Sequence, residues 1–378
     1  SSPGLAGGES AARVMEAAIR LRAGTASWAD TFDKAVFSQG NVLLDNSWSL
    51  LGADADFYTG GNFDCRNNSV FEGSVFAQGT GAMTNSCQVM GDLWTKGSIT
   101  TSTSGISVGG NVKSSTGGLT MGNNPVPIGG NIVLAGALVS SNGKMPDVGG
   151  TISQNLGAFA SPPEQAFPRI TFDPADWTEA DPKWDYMTWT AFINGIKPDV
   201  STPCQVAKAG WSINQAMVSP VGRTVVDART VCGGGRLEFS NNNELKLRND
   251  FTIVATEFVH SGNLTVTSVE EDGSPSDEPR ILRIIVPWTT GDSCPTSPST
   301  TMSFANSTTF SSSVTAFFYT SGNMEMSNLV SFKGQIYGCK VSPHNNLTLT
   351  FEAVGGPSES DAQVGSMYEV DVLYKRDS

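Results

Sequence analysis

Charged residues are scarce in this chain of 378 amino acids: Asp, Glu, Lys and Arg make up 16% of it, and histidine occurs only as His260 and His344. So small a supply excludes a fold built on long amphipathic helices, which need charged outer faces. Basic residues are the scarcer sign, 23 Lys and Arg against 36 Asp and Glu, and the net charge of −13 opposes nucleic acid or an anionic membrane as the main partner. No run of 18 apolar residues exists to span a bilayer. The patterns G-x-S-x-G and H-E-x-x-H are missing, and Gly233-Gly234-Gly235 lacks the Lys-Ser/Thr of a phosphate loop. His260, beside Ser261-Gly262, and His344, before Asn345-Asn346, therefore read as corner residues. No catalytic, metal or cofactor-binding set is expected.

Glycine, by contrast, is abundant at 41 residues, and between Gly40 and Ile152 it recurs in one small unit: glycine, a small or polar residue, then an apolar one. The clearest copies are Gly73-Ser74-Val75, Gly91-Asp92-Leu93, Gly110-Asn111-Val112, Gly130-Asn131-Ile132 and Gly150-Thr151-Ile152, stepped by 18, 19, 20 and 20 residues. A second, offset series runs from Gly40-Asn41-Val42 and Gly61-Asn62-Phe63 through Gly79, Gly97-Ser98-Ile99, Gly118 and Gly136-Ala137-Leu138. Units of about 20 residues are too small to bury an apolar face alone, so they predict stacked coils sharing one core, an all-β parallel solenoid. Successive coils lie about 4.8 Å apart, so equivalent residues stack. Phe63, Val75, Leu93, Val112 and Ile132 then form internal ladders in the two series, with Asn41, Asn62, Asn111 and Asn131 at the corners. Glycine and asparagine suit such corners by accepting φ > 0 cheaply.

Six cysteines without a C-x-x-C, beside two histidines, point to disulfides rather than zinc. Sequence order suggests Cys65 with Cys87, Cys204 with Cys232 and Cys294 with Cys339. Cys65 and Cys87 lie about one coil apart; aligning Gly73 with Gly91 sets Cys87 against Ser69, so their bridge would cross a corner. Sequons at Asn67, Asn263, Asn306 and Asn346 read as chance in so Asn-rich a chain, though they could carry glycan if the source glycosylates. Ser1 to Ser10, small and polar with no initiating Met, is expected to follow a removed leader or anchor.

Four regions are expected. Residues 1–35 form a lead-in, in which Met15, Ala17, Ile19 and Leu21 alternate as in a strand, a short helix being the alternative. Residues 36–155 form the first solenoid. Residues 156–224 form an insert that breaks the repeat with Pro162-Pro163, Pro168, Pro174, Pro182, Pro198 and Pro203. The insert interleaves Phe172, Trp177, Trp184, Tyr186, Trp189 and Phe192 with Asp173, Asp176, Glu179, Asp181 and Asp185. Either Trp177, Trp184, Tyr186 and Trp189 make a sugar platform, or the insert plugs a solenoid end; the plug is preferred, because terminal coils need caps. Residues 225–378 form a second solenoid, in which Phe258 to Val266 is echoed 60 residues later by Phe318 to Met326, about three coils on. There Asn306, Asn328 and Asn346 precede Phe310, Phe332 and Phe351, and Glu270 to Arg280 reads as a loop. Tyr368, Val370, Val372 and Tyr374 mark a closing strand able to pair with the lead-in. One continuous helix, or two segments joined at the insert, both remain open.

The series VGGNV at 108–112, IGGNI at 128–132 and VGGTI at 148–152 resembles the polymer-forming right-handed β-helix of the bactofilins. The stretch Val314 to Gly356 and the ending YEVDVLYKR are similar to the C-terminal β-helix module of PilX-like pilus-assembly proteins of Gram-positive bacteria. Together the similarities cover most of residues 13–376. They imply a right-handed parallel β-helix with a cell-surface, pilus-associated structural role, partnered by itself or by other pilus subunits. They also imply membrane attachment through an N-terminal apolar helix that this sequence lacks. A surface glycan is a further expected partner. The rival is a β-helix carbohydrate-active enzyme, which needs two converging carboxylates. Asp45, Asp54, Asp56, Asp64, Glu72 and Asp92 share no register, Glu238 and Glu244 are isolated, and only the acidic aromatic insert could host such a pair. The expectation is therefore an extracellular, non-enzymatic rod whose two strand-bearing ends suit end-on stacking.

Overall fold

A computed structural model of the chain describes residues 15–23, 28–102, 104–180, 182–196, 204–206, 211–214, 222–230, 234, 236–289, 291, 293–328, 330–357 and 368–377. Among the described residues short strands dominate, with three helices, α1 (Trp28–Thr31), α2 (Pro174–Thr178) and α3 (Trp189–Ile196). The lead-in strand Met15–Ala23 pairs antiparallel with the closing strand Tyr368–Asp377 in a two-stranded ribbon of their own. The remaining strands form a parallel β-solenoid. Its two glycine series are two faces of one stack. The first series places its apolar residue in the principal sheet, and the second builds a six-stranded sheet through Val42, Phe63, Gly81, Ile99, Leu119 and Leu138.

The inward ladder of the principal sheet has thirteen rungs: Met187, Val226, Ile253, Ile284, Phe318, Ile336, Val36, Phe57, Val75, Leu93, Val112, Ile132 and Ile152. The two repeat regions are therefore one continuous stack, but its order is not the chain order. The chain enters in mid-stack at Val36 and runs outward to Ile152. It re-enters at the far end at Met187 and returns until Ile336 pairs with Val36 and Leu347 with Trp48. At this seam the bonds equal those within either half, with Ile336 N donating to Ala35 O at 2.9 Å and Gly40 N to Cys339 O at 2.8 Å.

The return journey crosses twelve rung spacings, about 58 Å at about 4.8 Å each, which an extended chain spans in about 17 residues. Residues 154–180 and 182–183 supply it. They run as a strap along the flank, crossing one coil after another. Ser115 Oγ donates to Ala160 O at 2.9 Å, and Gln78 Nε2 to Pro162 O at 2.8 Å. Gln165 N donates to Tyr58 Oη at 3.0 Å, Ile170 N to Tyr319 Oη at 3.0 Å, and Tyr319 Oη in turn to Pro168 O at 2.9 Å. The prolines suit this path because it joins no ladder and needs few N–H donors. The stretch expected to plug an end is thus mainly a flank cover. Within it, Trp184–Thr188, Gln205–Val206 and Trp211–Asn214 pair in register with Arg223–Asp227, Arg236–Phe239 and Asn243–Leu247, making a coil where none was expected. Helix α3, part of that coil, closes the core with buried Trp189, Phe192 and Ile193.

Two further expectations change at the corners. The repeat glycines are absent from the residues at positive φ, so freedom of φ does not explain them. Close stacking does: a Cβ on Gly129 would lie 2.2 Å from Gly109 O, and one on Gly149 2.3 Å from Gly129 O. Positive φ belongs instead to another corner, at Asn67 (53°) and Asn85 (50°), where asparagine amides climb the stack. Asn328 Nδ2 lies 3.3 Å from Asn306 Oδ1, Asn345 Nδ2 3.3 Å from Asn328 Oδ1, Asn46 Nδ2 3.1 Å from Asn345 Oδ1 and Asn85 Nδ2 3.1 Å from Asn67 Oδ1. Asn345, not Asn346, takes the ladder position. The echo of Phe258 in Phe318 is not structural either, since Phe258 stacks on Met302 and Phe318 on Ile284 and Ile336. The expected corner asparagines do form ladders: Asn62 N donates to Asn41 Oδ1 at 2.8 Å, and Asn131 N to Asn111 Oδ1 at 2.9 Å.

Candidate functional surfaces

Seven of the eight stack carboxylates weighed from the sequence are tied into its own fabric. Asp56 accepts from Ser74 N at 2.9 Å and Asp92 from Asn111 N at 2.7 Å. Arg66 bridges Asp45 (3.2 Å) and Asp64 (2.7 Å), Glu72 accepts from Gly52 N at 2.5 Å, Glu238 pairs with Arg236 at 3.3 Å, and Glu244 with Lys246 at 3.4 Å. Among the described residues no three His, Cys, Asp or Glu side chains cluster in a metal-binding arrangement.

His344 lies exposed at a corner, but His260 does not. It points inward from Glu257–His260, fully buried, with Nδ1 3.4 Å from Thr308 Oγ1 and its ring against Phe304. Burial depresses its pKa to about 4. Unfolded histidine titrates near 6.5, so as pH falls from about 6.5 to about 4 only the unfolded chain takes up this proton, and stability falls by up to about 3 kcal/mol. Urea titrations across that range should show this acid-side loss in the wild type and a correspondingly shallower one in His260→Leu. Identical slopes would contradict it.

The tryptophans do not form an open platform. Trp177, Trp184 and Trp189 are 3%, 2% and 0% exposed. Trp177 of the strap packs edge to face on Trp184 at 4.8 Å, and Trp189 packs on Phe192 and Phe239 in the solenoid core. Tyr186 alone of the four reaches solvent, and its hydroxyl donates to Asp227 Oδ2 at 3.3 Å. Burial would raise the Asp227 carboxyl, but hydrogen bonds from Arg229 at 2.8 and 2.9 Å outweigh it and hold the group below the usual carboxylate range. Arg283, fully buried beneath Gly355 and Gly356, donates to their carbonyls at 2.6 and 3.3 Å, and burial lowers its pKa to about 10.

The strap covers an outward ladder, Val254, Ile285, Tyr319, Tyr337, Phe37, Tyr58 and Phe76, that would otherwise expose a column of apolar rings. The sequence carried a sign of this that periodicity alone misses. Strands such as Phe57-Tyr58 and Phe317-Phe318-Tyr319 are apolar at both alternations, the mark of a strand buried on both faces.

Disulfides join Cys65 to Cys87, inside the core and across a corner, and Cys294 to Cys339, which ties the segment after Trp288 to the seam strand Val330–Pro343. Cys204 is also disulfide-bonded; Cys232 lies outside the described residues. At the seam a cleft of about 370 Å³ opens between Val42–Leu44 and residues 340–344, lined by Asn41, Asp45, Asn62, Asp64, Lys340 and His344. On a further face, Thr265, Thr309, Ser331, Thr348 and Ser49 stack in one outward hydroxyl column that crosses the seam. Of the sequons, Asn263 and Asn346 are exposed, whereas the amides of Asn67 and Asn306 are spent on the carbonyls of Asp45 and Ser261.

No family model and no curated protein sequence matches the chain. Among solved structures it is similar to the C-terminal domain of a possible adhesin from Caldicellulosiruptor kronotskyensis, with a TM-score of 0.32, 11% identity, and 87% of this chain and 95% of that one covered. It is also similar to the tapirin C-terminal domain of Caldicellulosiruptor kristjanssonii, with a TM-score of 0.27, 13% identity and coverage of 89% and 97%. A third likeness, to an ice-binding protein from an Antarctic Flavobacteriaceae bacterium, has a TM-score of 0.16, 9% identity and coverage of 85% and 81%.

Proposed function

We propose that this protein is an extracellular structural element of the cell surface, a pilus subunit or pilus-associated rod without enzymatic activity. The observation that carries the reading is the unbroken thirteen-rung stack, held by parallel ladders, corner side-chain ladders and disulfides around one elongated core. Such a body is stiff along its axis, and its cysteines suit an oxidising compartment. Association with a pilus rests on the resemblance of the glycine repeats and of Val314 to Gly356 to PilX-like proteins. The engagement of seven of the eight stack carboxylates favours this reading over a carbohydrate-active enzyme built on the stack, which would hold two of them free across a sugar. Adhesion is a second reading, favoured by the hydroxyl column from Thr265 to Ser49, along which a repeating glycan could lie. Immunogold labelling of the native cell surface tests the structural role. Label along surface fibres is the expected result, and label confined to the cytoplasm would overturn it.

A further inference from the structure

Three cavities adjoin along the seam. One of about 490 Å³ lies between the strap and Trp288, a second of about 490 Å³ is walled by residues 294–298, and the third is the cleft of about 370 Å³ at Val42–Leu44. The first and second share Gln39 and Cys294, and the second and third share Asn41 and Lys340, so the three make one groove. Its floor is the seam itself, residues 39–45 beside 339–344, which carries it from the strap round the corner to the six-stranded sheet. Gly40, Gly60 and Gly61 keep the middle of that floor bare of side chains. The outer wall, residues 293–298, joins no ladder, and the disulfide from Cys294 to Cys339 fastens it to the floor. A wall fixed in this way is ordered before any ligand arrives.

The lining selects the ligand. Asn41 and Asn62 spend Oδ1 on the Asn62 and Thr80 amides of the next coils, at 2.8 Å each, which leaves their Nδ2 groups as donors. Thr296, Ser297 and Ser342 add hydroxyls. At one end the half-buried Trp288 ring, with Arg169 over it at 5.2 Å, and at the other Leu43, 41% exposed, offer apolar surface. The charges cancel: Arg169, Lys340 and Arg66, which bridges Asp45 and Asp64, match those two carboxylates and Glu164. A polyanion or polycation therefore gains nothing here. The open strand edge on the floor, Val42–Leu44, is held at both ends, by Gly40 N to Cys339 O at 2.8 Å and Asn46 Nδ2 to Asn345 Oδ1 at 3.1 Å, so no peptide strand can enter beside it. Gln39, where the first two cavities meet, holds Oε1 without a hydrogen-bond partner among the described residues. A sugar hydroxyl can meet that acceptor once the amide turns about its soft terminal torsion.

We propose that this groove binds an extended, neutral polysaccharide, which crosses the rod at the seam. The inference takes its ligand class from the adhesive reading but sets the site across the seam instead of along the hydroxyl column. The glycan lies against Trp288 and Leu43, accepts from Asn41, Asn62 and Lys340, and donates a hydroxyl to Gln39.

Isothermal titration calorimetry of the full chain with cellohexaose, chitohexaose, maltohexaose and the anionic hexagalacturonate tests it. At least one neutral hexasaccharide should bind. Ser297→Trp, which fills the middle of the groove, should abolish binding with circular dichroism unchanged. Gln39→Met should weaken it about fivefold, the worth of one neutral hydrogen bond, while leaving the unfolding midpoint unchanged or raised, because an unsatisfied buried acceptor is removed. A glutamine with a structural role alone would lower that midpoint and spare binding. Thr309→Lys/Thr348→Lys, in the hydroxyl column, should bind as the wild type does. A wild type that binds none of the four, or hexagalacturonate alone, overturns the groove, as does binding that survives Ser297→Trp. Adhesion is scored apart: retention on insoluble polysaccharide that the column pair abolishes and Ser297→Trp spares would uphold the column and sink the groove.

Discussion

Gly129→Ala is expected to destabilise the protein by about 3 kcal/mol or to prevent folding, although it adds one methyl group at a surface corner. The new Cβ would lie 2.2 Å from Gly109 O and 3.1 Å from Gly109 C. Both are backbone atoms of the adjacent coil, and no rotamer change can clear them. Relief requires the coils to separate, at the cost of Gly129 N to Val108 O (2.8 Å) and Gly130 N to Gly110 O (2.9 Å). Gly143→Ala is the control. Gly143 has φ of 75° and nothing within 4 Å of an added Cβ, so alanine there meets only backbone strain, about 1 kcal/mol. Denaturant unfolding of the two variants separates the explanations. If Gly143→Ala is the worse of the pair, the corner glycines are selected for φ and not for the approach of coil to coil.

That distinction also marks what could be read from the sequence. The steps of 18 to 20 residues, the Val75, Leu93, Val112 and Ile132 ladder and the corner asparagines were legible because each coil of residues 36–153 is short and uninterrupted. Beyond Met187 the rungs are 39, 27, 31 and 34 residues apart, from Met187 through Val226, Ile253 and Ile284 to Phe318. Loops such as that between Leu264–Ser268 and Arg280–Val286 lengthen the coils without touching the core, which hides the period. The permuted order was invisible for another reason. A parallel ladder asks of Val36 only an apolar side chain against its neighbours, and Ile336 meets that demand as well as Phe57 does. The cleft at the seam was hidden with it, since its walls come from residues about 300 positions apart.

Phe167→Ala is expected to cost about 3 to 5 kcal/mol, on the scale of a core phenylalanine, although the residue lies in a proline-flanked connection without secondary structure. Its ring sits over the seam, 5.7 Å from Phe37 and 5.4 Å from Tyr319, on strands from the two halves of the stack, and 6.0 Å from Trp288 beyond the strand Arg280–Val286. Removing it opens a cavity between strap and sheet. The strap cannot collapse into that space, because Gln165 is held by Tyr58 and Ile170 by Tyr319. Removing one such anchor, as in Tyr319→Phe, should cost less, about 1 to 2 kcal/mol, since one neutral hydroxyl and its two bonds are lost while the ring remains. Hydrogen exchange tells a local effect from a global one. If the strap only decorates the flank, Phe167→Ala will raise exchange in residues 156–180 and leave the strands at Val36 and Ile336 protected. If it clamps the seam, as the contacts to both halves require, exchange at those strands rises with it and the unfolding transition shifts as a whole.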